Sequence, residues 1–370
     1  MLIGGMFDLD IEKALTEPVK KDFSLRCDIE GQYKRKVFTN NGRTATTYAM
    51  QYGVKLPKGK KVLLPEYNCI SVINAFEAVD AEFIFYKVKP GLIIDIQDLE
   101  SKVSEDCGLI YVIHYFGVPQ PEEVVSRIVE LAEHYHICIM EDITQTFFTR
   151  GKGRIGFGHY LVASVRKWLP VTDGGIVAAR NDVPFEIAEL QPAYDEAAYT
   201  QMFLSLVRKE YVLQPQKNPL DYLNIEKMAN RARYLDFTPR AMTKLSENIL
   251  YNSDFALCIR KRRENYNLLY QLLKDNEDIR LYGEPLDENG DYVPFGFVIE
   301  ADDRDELYRY LAEKGIIGEI QWILPTEYYN PAPYAAYMTR HSLMLQCDQR
   351  YGEREMKMTA EMIGNYTSIK

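Results

Sequence analysis

Short apolar runs alternate with amphipathic stretches between residues 37 and 180, and this alternation constrains the fold more than any other feature of the chain. The runs are almost continuously apolar, which is typical of strands that are covered on both faces. They are VLLP (62–65), EFIFYKV (82–88), GLIYVIHYFG (108–117), HICIMED (136–142), YLVASVR (160–166) and GGIVAAR (174–180).

The segment between the third and fourth runs has the spacing of one helical stripe, and Pro121 suits its first turn. The apolar residues on this stripe are Val124, Val125, Ile128, Leu131, Ala132 and Tyr135. A strand, a helix and a second strand in this order form a crossover unit. Its repetition predicts an α/β fold with a mostly parallel sheet flanked by helices.

The sequence after residue 180 predicts two further regions of the structure. Residues 183–235 are polar, rich in tyrosine and helical in patches, which indicates a bridging or dimer-contact region. A long basic-faced helical stretch then leads to the strand candidate YVPFGFVIEA and two further helices. We therefore expect a large domain over 1–235, which includes an N-terminal arm, and a smaller C-terminal α/β domain over 236–370.

Charge and cysteine content exclude several classes of function. The 370 residues carry 44 Lys and Arg against 54 Asp and Glu, and the net charge of −10 argues against nucleic-acid binding. The N-terminus lacks the pattern of a signal peptide, and no apolar stretch has the length of a membrane span. We expect a cytoplasmic protein without a membrane partner. The cysteines are widely spaced and form no CxxC pair, so we expect no metal site.

The stretch SVRKWLPVTDGG places Lys167 at the end of the fifth apolar run. A lysine at a strand end is most often a solvated surface charge. An unprotonated lysine amine can instead form a Schiff base with an aldehyde cofactor or a ketone substrate. Lys167 is therefore a candidate catalytic residue.

The stretch HICIMEDITQ ends the fourth run in an acidic pair. Ligands of open α/β sheets bind beyond the carboxyl ends of the strands, so Asp142 would face the ligand. A carboxylate in this position can pair with the pyridinium nitrogen of pyridoxal phosphate. Gln145, three residues later, could reach the phenolic oxygen of the same ring. The alternative role for Asp142 is to cap the following helix or turn.

The stretch TNNGRTATTYAMQYG (39–53) opens a helix with small and polar residues. Free N–H groups at a helix start bind anions, so Gly42, Arg43 and Thr44 could hold a phosphate. Ser164 could give a further hydroxyl donor. Capping of the helix by Asn41 is the alternative explanation.

The stretch GKGRIGFG (151–158) contains the pattern GxGxxG. A dinucleotide site requires a strand before this pattern and a helix after it. The following segment YLVASVR has the composition of a strand, so we do not expect a dinucleotide site.

Taken in order, NGRTA, PEYNC, HYFGVP, EDITQ and SVRKWLPVTDGG resemble the motif set of the DegT/StrS-type sugar aminotransferases, pyridoxal-phosphate enzymes of fold type I. The resemblance extends from about residue 37 to 180, with a weaker similarity in RHSLMLQCDQRYGERE. It implies a homodimeric aminotransferase that requires pyridoxal 5'-phosphate. Such an enzyme would move an amino group from an amino acid such as glutamate to a keto-sugar nucleotide, in surface polysaccharide or amino-sugar biosynthesis.

The resemblance also implies roles for individual residues. Lys167 would form the Schiff base and then shuttle a proton between the substrate carbon and the cofactor. Asp142 would pair with the ring nitrogen, and Gln145 would lie near the ring hydroxyl. The family's phosphate-binding positions correspond to Arg43, Thr44 and Ser164.

Two departures from the family pattern affect the cofactor site. Cys69 stands where the family usually presents an aromatic ring to the cofactor, so either Tyr67 or His114 would supply the stacking or the stacking would be weaker. His114 matches a family position beside the ring, and a structural role is its alternative. Where the family commonly sends an asparagine from the neighbouring subunit to the phosphate, this chain offers Asp236 and Arg240.

The substrate-binding residues are less defined by the sequence. The aromatic stretch GEIQWILPTEYYNPAPY makes Tyr328 and Tyr329 candidates for substrate contact, and Tyr67 is a third. Any of three arginines could bind the carboxylate of the amino donor, namely Arg166, Arg233 and Arg240.

A second hypothesis of a different class is a non-catalytic or regulatory protein that binds pyridoxal phosphate on the same fold. The cysteine at position 69 and the missing asparagine are compatible with it. The presence of both Lys167 and Asp142 favours the enzyme, because a binding module needs neither.

Overall fold

The computed structural model describes residues 2–18, 23–193, 196–214, 216–232, 237–287 and 290–367. Its helices are α1 (Ile11–Leu15), α2 (Gly42–Ala49), α3 (Ile70–Glu77), α4 (Ile96–Glu100), α5 (Glu122–Tyr135), α6 (Glu196–Leu213), α7 (Pro219–Ala232), α8 (Lys244–Asn252), α9 (Phe255–Leu273), α10 (Arg304–Glu313), α11 (Pro333–His341) and α12 (Glu353–Thr367). Within these described ranges, no helix has the length and apolar character needed to cross a membrane.

The strands are β1 (Arg35–Thr39), β2 (Lys61–Pro65), β3 (Glu82–Tyr86), β4 (Val88–Lys89), β5 (Ile93–Ile94), β6 (Cys107–Ile113), β7 (Cys138–Asp142), β8 (Tyr160–Ser164), β9 (Gly175–Ala179), β10 (Arg280–Leu281), β11 (Phe297–Glu300) and β12 (Ser342–Leu345). The main sheet has seven strands in the order β1-β9-β8-β7-β6-β2-β3. Strands β3, β2, β6, β7 and β8 run parallel, whereas β9 is antiparallel to both β8 and β1. The predicted α/β class with a mostly parallel sheet is confirmed.

Helix α5 covers one face of the main sheet. Its stripe residues Val124, Ile128 and Leu131 are buried in a cluster with strand residues such as Ile110 and Ile139. Pro121 is the N-cap residue and has an extended conformation, so the helix begins at Glu122. The proline therefore lies one position before the first helical turn, in which the sequence analysis places it. Burial on both faces explains why the strands of this sheet are apolar along their whole length.

Helix α2 covers the opposite face of the sheet. Its residues Ala45, Tyr48 and Ala49 are buried in the largest hydrophobic cluster, together with Trp168. The small side chains of Ala45 and Ala49 let the helix lie close to the strands. The start of α2 is thereby held against the edge of the sheet where the parallel strands end.

The C-terminal part contains a second, antiparallel sheet in the order β10-β11-β12. Helices α10 and α12 pack on this sheet through residues such as Leu307 and Ile363, which form a separate hydrophobic cluster with Phe297 and Leu343. This is the region expected to form a smaller α/β domain. The division between residues 235 and 236 stays a prediction.

Candidate active site

A cavity of about 260 Å³ lies at the carboxyl ends of the parallel strands. Strand β6 contributes Ile113 to its wall, β7 contributes Asp142 and β8 contributes Ser164. These three residues are the last of their strands, and parallel strands end at the same edge of a sheet. The cavity therefore occupies the place where open α/β sheets bind ligands.

Seven of the nine residues that the sequence analysis placed at the cofactor line this cavity. They are Gly42, Arg43, Cys69, Asp142, Gln145, Ser164 and Lys167. Segments more than a hundred residues apart in the chain are thus brought to a single site.

The carboxylate of Asp142 is held at both oxygens. The hydroxyl of Tyr111 donates to Oδ2 at 2.9 Å, and the backbone N–H of Thr144 donates to Oδ1 at 2.8 Å. Burial, reinforced by the charge of Asp142, raises the pKa of Tyr111 well above its ordinary value. The phenol therefore keeps its proton and acts as a donor. This arrangement orients an anionic group toward the cavity.

Lys167 ends a short 3₁₀ turn, Val165–Lys167, that directly follows β8. The next residue, Trp168, is fully buried, and its Nε1 donates to the carbonyl oxygen of Thr144 at 2.6 Å. This anchor fixes the turn, and it leaves Lys167 half-buried on the cavity wall. The Nζ atom of Lys167 lies 5.9 Å from the ring centroid of Phe295.

The start of helix α2 forms another wall. Asn41 caps the helix, because its side-chain oxygen accepts a hydrogen bond from the N–H of Thr44 at 3.1 Å. In return, the N–H of Asn41 donates to the hydroxyl oxygen of Thr44 at 3.1 Å. The capping alternative is therefore realised. Thr44 is buried and does not line the cavity, whereas Gly42 and Arg43 do. A Cβ on Gly42 would lie 3.2 Å from the Cβ of Ser164, so the two predicted anion-binding segments are adjacent.

His114 lies behind the cavity wall and does not line it. Its Nε2 is 3.0 Å from Oε2 of Glu141, and its Nδ1 accepts a hydrogen bond from the N–H of Gln120 at 3.1 Å. Because Nδ1 is an acceptor, Nε2 carries the proton and donates to the carboxylate. Both side chains are fully buried. These contacts match the structural alternative for His114.

Glu141 also binds the end of the glycine-rich stretch. Its carboxylate accepts hydrogen bonds from the N–H groups of Gly156 at 3.1 Å and Gly158 at 2.5 Å. A Cβ on Gly158 would lie only 2.9 Å from the Glu141 oxygen. Strand β8, rather than a helix, follows this loop. Its amides therefore bind an internal carboxylate.

The three tyrosines proposed for substrate contact also lie outside the cavity lining. The hydroxyl of Tyr67 donates to the carbonyl oxygen of Gln321, and that of Tyr329 donates to the carbonyl oxygen of Glu66. Tyr328 donates to the carboxylate of Glu77 at 2.8 Å. Their predicted substrate roles stay predictions.

The sequence did not single out several residues that line the cavity, among them Tyr111, Thr144, Gln321 and Trp322. The last two belong to the aromatic stretch GEIQWILP, whose composition drew attention to the segment but not to these positions. Tyr111 lies two residues before the end of β6, and its closeness to Asp142 depends on the pairing of β6 with β7.

The arginines proposed for the carboxylate of the amino donor have different positions. Arg166 lines the cavity beside Lys167. The carbonyl oxygen of Arg240 accepts a hydrogen bond from the N–H of Asn40 at 2.9 Å. Arg233 and Asp236 lie outside the described residues. Among the residues that are described, no group of three His, Cys, Asp or Glu side chains could hold a metal ion.

Comparison with known proteins gives a similarity to one family and a fold. Residues 30–194 match the model of the DegT/DnrJ/EryC1/StrS aminotransferase family. A GDP-perosamine synthase of Escherichia coli O157:H7 is 26% identical over 152 residues, which are 40% of this chain and 41% of that protein. The chain thus matches about two fifths of the length of this curated relative.

Solved aminotransferases have the same architecture over nearly the whole chain. Helicobacter pylori PseC, an aminotransferase involved in the biosynthesis of pseudoaminic acid, superposes with a TM-score of 0.69 at 13% identity and covers 99% of both chains. The aminotransferase TlmJ from Streptoalloteichus hindustanus gives 0.67 at 16% identity, with 98% of both chains covered. The sugar aminotransferase CalS13 from Micromonospora echinospora gives 0.66 at 15% identity over 98% of both chains.

These likenesses show the fold, and the family model identifies the segment that carries the motifs and most of the cavity. The chain is similar over residues 30–194 to the DegT/DnrJ/EryC1/StrS aminotransferase family and has the fold type I architecture of solved sugar aminotransferases, which confirms the resemblance that its ordered motifs indicated.

Proposed function

We propose that the protein is an aminotransferase that requires pyridoxal 5'-phosphate and moves an amino group from an amino acid, such as glutamate, to a keto-sugar nucleotide. The observation that carries this proposal is the common cavity of Lys167 and Asp142 at the carboxyl ends of the strands. A lysine amine and a fixed carboxylate in one cavity are the two groups that this cofactor requires.

The other residues of the cavity fit the remaining parts of the cofactor. The first turn of α2 at Gly42 and Arg43, with Ser164 beside it, suits a phosphate group. The Asp142 carboxylate, held by Tyr111 and Thr144, suits a cationic ring nitrogen. When bound, pyridoxal phosphate supplies an electrophilic aldehyde carbon and an electron-withdrawing ring.

Each residue then has a defined task. Lys167 provides a nucleophilic amine and later moves a proton to and from the substrate carbon. Asp142 holds positive charge on the ring nitrogen, and Gln145 donates a hydrogen bond to the ring oxygen. Arg166, which lines the same cavity, binds the carboxylate of the amino donor.

The stacking partner of the ring is also a proposal. Cys69 lines the cavity at the position where the family has an aromatic residue, while Tyr67 and His114 do not reach the lining. Trp322 is the aromatic side chain from the C-terminal part that does line it. We propose that Trp322 provides the aromatic surface that the sequence assigned to Tyr67 or His114.

We further propose a cytoplasmic homodimer that acts in surface polysaccharide or amino-sugar biosynthesis. Two similar proteins whose names or titles refer to sugars support this proposal. One is a GDP-perosamine synthase, and the other is DesI, whose structure was determined in the presence of its TDP-sugar product. The mass of the protein in solution tests the dimer, and a screen of keto-sugar nucleotides against the glutamate-treated protein tests the acceptor.

The decisive experiment measures the visible absorbance of the purified protein with pyridoxal phosphate. We expect a Schiff-base band that shifts when glutamate is added, and we expect Lys167→Ala to abolish the band. Lys314→Ala, at an exposed lysine after α10, is the control and should keep it. A band that survives Lys167→Ala would place the covalent link elsewhere. A band that no amino acid shifts would favour a non-catalytic binding protein.

A further inference from the structure

Hydrogen-bonded side chains connect the cavity wall at Gln145 to the C-terminal part of the chain. The N–H of Phe116 donates to Oε1 of Gln145 at 2.7 Å, and Nε2 of Gln145 donates to Oε1 of Gln321 at 2.8 Å. Nε2 of Gln321 donates to Oε2 of Glu319 at 2.8 Å, and Oε1 of Glu319 accepts from Nε2 of Gln346 at 2.9 Å. We call these five groups the amide relay.

Two groups of the amide relay have only one possible role in a hydrogen bond, as donor or as acceptor. A backbone N–H such as that of Phe116 can only donate, and an ionised carboxylate such as that of Glu319 can only accept. The amides of Gln145 and Gln321 lie between them, and each could in principle be turned by 180°. Only one orientation of both amides satisfies every donor and acceptor, and it is the orientation observed.

Burial makes the wrong orientation costly. Gln145 is 2% exposed and Gln321 is 6% exposed. If either amide turned, two N–H groups or two oxygens of nearly fully buried side chains would face each other. A buried polar group without a partner is destabilising, so burial favours the observed orientation of both glutamines.

The orientation determines what Gln145 can offer to the cavity. Its oxygen is engaged by Phe116, and one of the two hydrogens on Nε2 is engaged by Gln321. The second hydrogen is the polar hydrogen that remains for a ligand. A ligand group that bonds to this hydrogen must accept a hydrogen bond, as an oxyanion does.

We propose that Gln321 and Glu319 are positioning residues that make Gln145 a hydrogen-bond donor toward an oxyanion in the cavity. The identity of the oxyanion rests on the proposed function, in which it is the phenolic oxygen of pyridoxal phosphate. The polarity of the relay itself does not depend on that function. The two parts of the proposal can therefore fail separately.

The test exchanges the acid and the amide at the two ends of the relay. Gln145→Glu removes the N–H group that donates to Gln321. The amide of Gln321 must then turn so that its N–H faces the new carboxylate at position 145 and its oxygen faces the carboxylate of Glu319. This conflict should lower the melting temperature of Gln145→Glu. Glu319→Gln should lower it less, because one amide oxygen still accepts from Gln321.

The double variant Gln145→Glu/Glu319→Gln reverses the relay with every partner satisfied. The amide introduced at position 319 donates to Gln321, and its oxygen accepts from Gln346. We expect the double variant to melt at a higher temperature than Gln145→Glu alone. Purely additive losses of the two single variants would overturn the relay.

A matched control uses another buried glutamine. Gln120 is 3% exposed, its Nε2 donates to the carbonyl oxygens of Leu92 and Ile113, and it has no shared partner with Glu319. Gln120→Glu should be destabilised as well, but Glu319→Gln should not rescue it. Rescue at both positions would indicate a general charge effect and contradict the proposal.

A spectroscopic measurement tests the effect on the cavity. With pyridoxal phosphate bound, the pH midpoint of the Schiff-base absorbance should rise by roughly one unit or more when position 145 no longer donates to the ring oxygen. The double variant should regain stability and keep the shifted midpoint. An unchanged midpoint would remove Gln145 from contact with the cofactor. A wild-type protein that forms no band would contradict the proposed function and leave the stability result standing.

A second variant covers the case in which Gln145→Glu does not fold. Gln321→Leu removes the middle of the relay with a side chain of similar size. In that background Glu319→Gln should no longer depress the melting temperature, because its amide has only Gln346 left as a partner in the relay. An effect of equal size with and without Gln321 would show that Glu319 does not act through the relay.

Discussion

The hydroxyl of Tyr111 lies 2.9 Å from Oδ2 of Asp142 and donates to it. The two residues come from neighbouring parallel strands, β6 and β7, and both line the cavity. Since the N–H of Thr144 holds the other oxygen, the carboxylate is fixed before any ligand binds. Such preorganisation removes the cost of orienting the charge during the reaction.

Tyr111→Phe is expected to weaken binding of pyridoxal phosphate by about tenfold, because a hydrogen bond to a charged group is lost. Equilibrium dialysis against the cofactor measures the change. Tyr115→Phe is a matched control, since Tyr115 is equally buried but donates to the carbonyl oxygen of Tyr67 and does not line the cavity. Equal weakening by both variants would argue against a specific role for Tyr111.

Asp142→Ala is expected to retain the cofactor through Lys167 and the phosphate contacts, yet to react with glutamate at least about a hundredfold more slowly. The reason is the loss of the charge that stabilises a protonated ring nitrogen. Stopped-flow absorbance after mixing with glutamate gives the rate. A rate equal to that of the wild-type protein would exclude Asp142 from the mechanism.

Glu141→Gln is expected to lower the free energy of unfolding by roughly 2–4 kcal/mol. The buried carboxylate accepts from Gly156, Gly158 and His114, and an amide in its place would direct N–H groups at some of these donors. Urea denaturation measures the loss. Glu133→Gln, at an exposed position of α5, should change stability little.

Stability is expected to decline when the pH falls below about 6.5, the ordinary pKa of histidine. Burial is the main cause that lowers the pKa of His159, whose Nδ1 accepts a hydrogen bond from the N–H of Ile139 at 2.9 Å. The folded protein therefore binds this proton less readily than the unfolded chain does. The contribution is complete above pH 6.5 and decreases as the pH falls toward the lowered value.

His159→Asn keeps an acceptor at this position without a titrating ring. Melting temperatures between pH 5 and pH 8 should therefore depend less on pH in this variant. An identical pH profile in both proteins would assign the effect to other groups.

Cys69 is expected to react with a thiol reagent before the other cysteines that the structure describes. It lines the cavity, whereas burial raises the pKa of Cys258 to about 11 and that of Cys347 to about 12. The thiolate is the reactive form, so these buried thiols react slowly. Peptide mass spectrometry after brief alkylation identifies the labelled site. Pyridoxal phosphate should slow the labelling of Cys69, and equal rates with and without cofactor would contradict its place in the site.

Local patterns predicted most of the main sheet. The six apolar runs correspond to strands β2, β3, β6, β7, β8 and β9, and the stripe from Val124 to Tyr135 corresponds to α5. Periodicity identifies these elements because it reflects burial of neighbouring residues. The antiparallel direction of β9 relative to β8 and β1 was not predicted, because apolar periodicity identifies a strand but not the direction in which it pairs.

Sequence position indicated which residues line the cavity where a residue ends a strand or starts a helix, as with Asp142 and Gly42. Sequence spacing is less informative about the cavity lining where a side chain has a competing internal partner. Thr44 is engaged in the capping box with Asn41, and Tyr67 donates to a backbone carbonyl in a segment some 250 residues away. Such competition is decided by tertiary contacts, and sequence spacing does not reveal it.

The wall formed by Glu319, Gln321 and Trp322 has a consequence for biosynthesis of the protein. All strands of the main sheet, together with Lys167 and Asp142, precede residue 180, but this wall is translated about 140 residues later. On the ribosome, a nascent chain that already contains Lys167 and Asp142 still lacks one side of this cavity until residues 319–322 have been translated. A ligand that needs all of these walls therefore stabilises the folded molecule rather than its emerging first half.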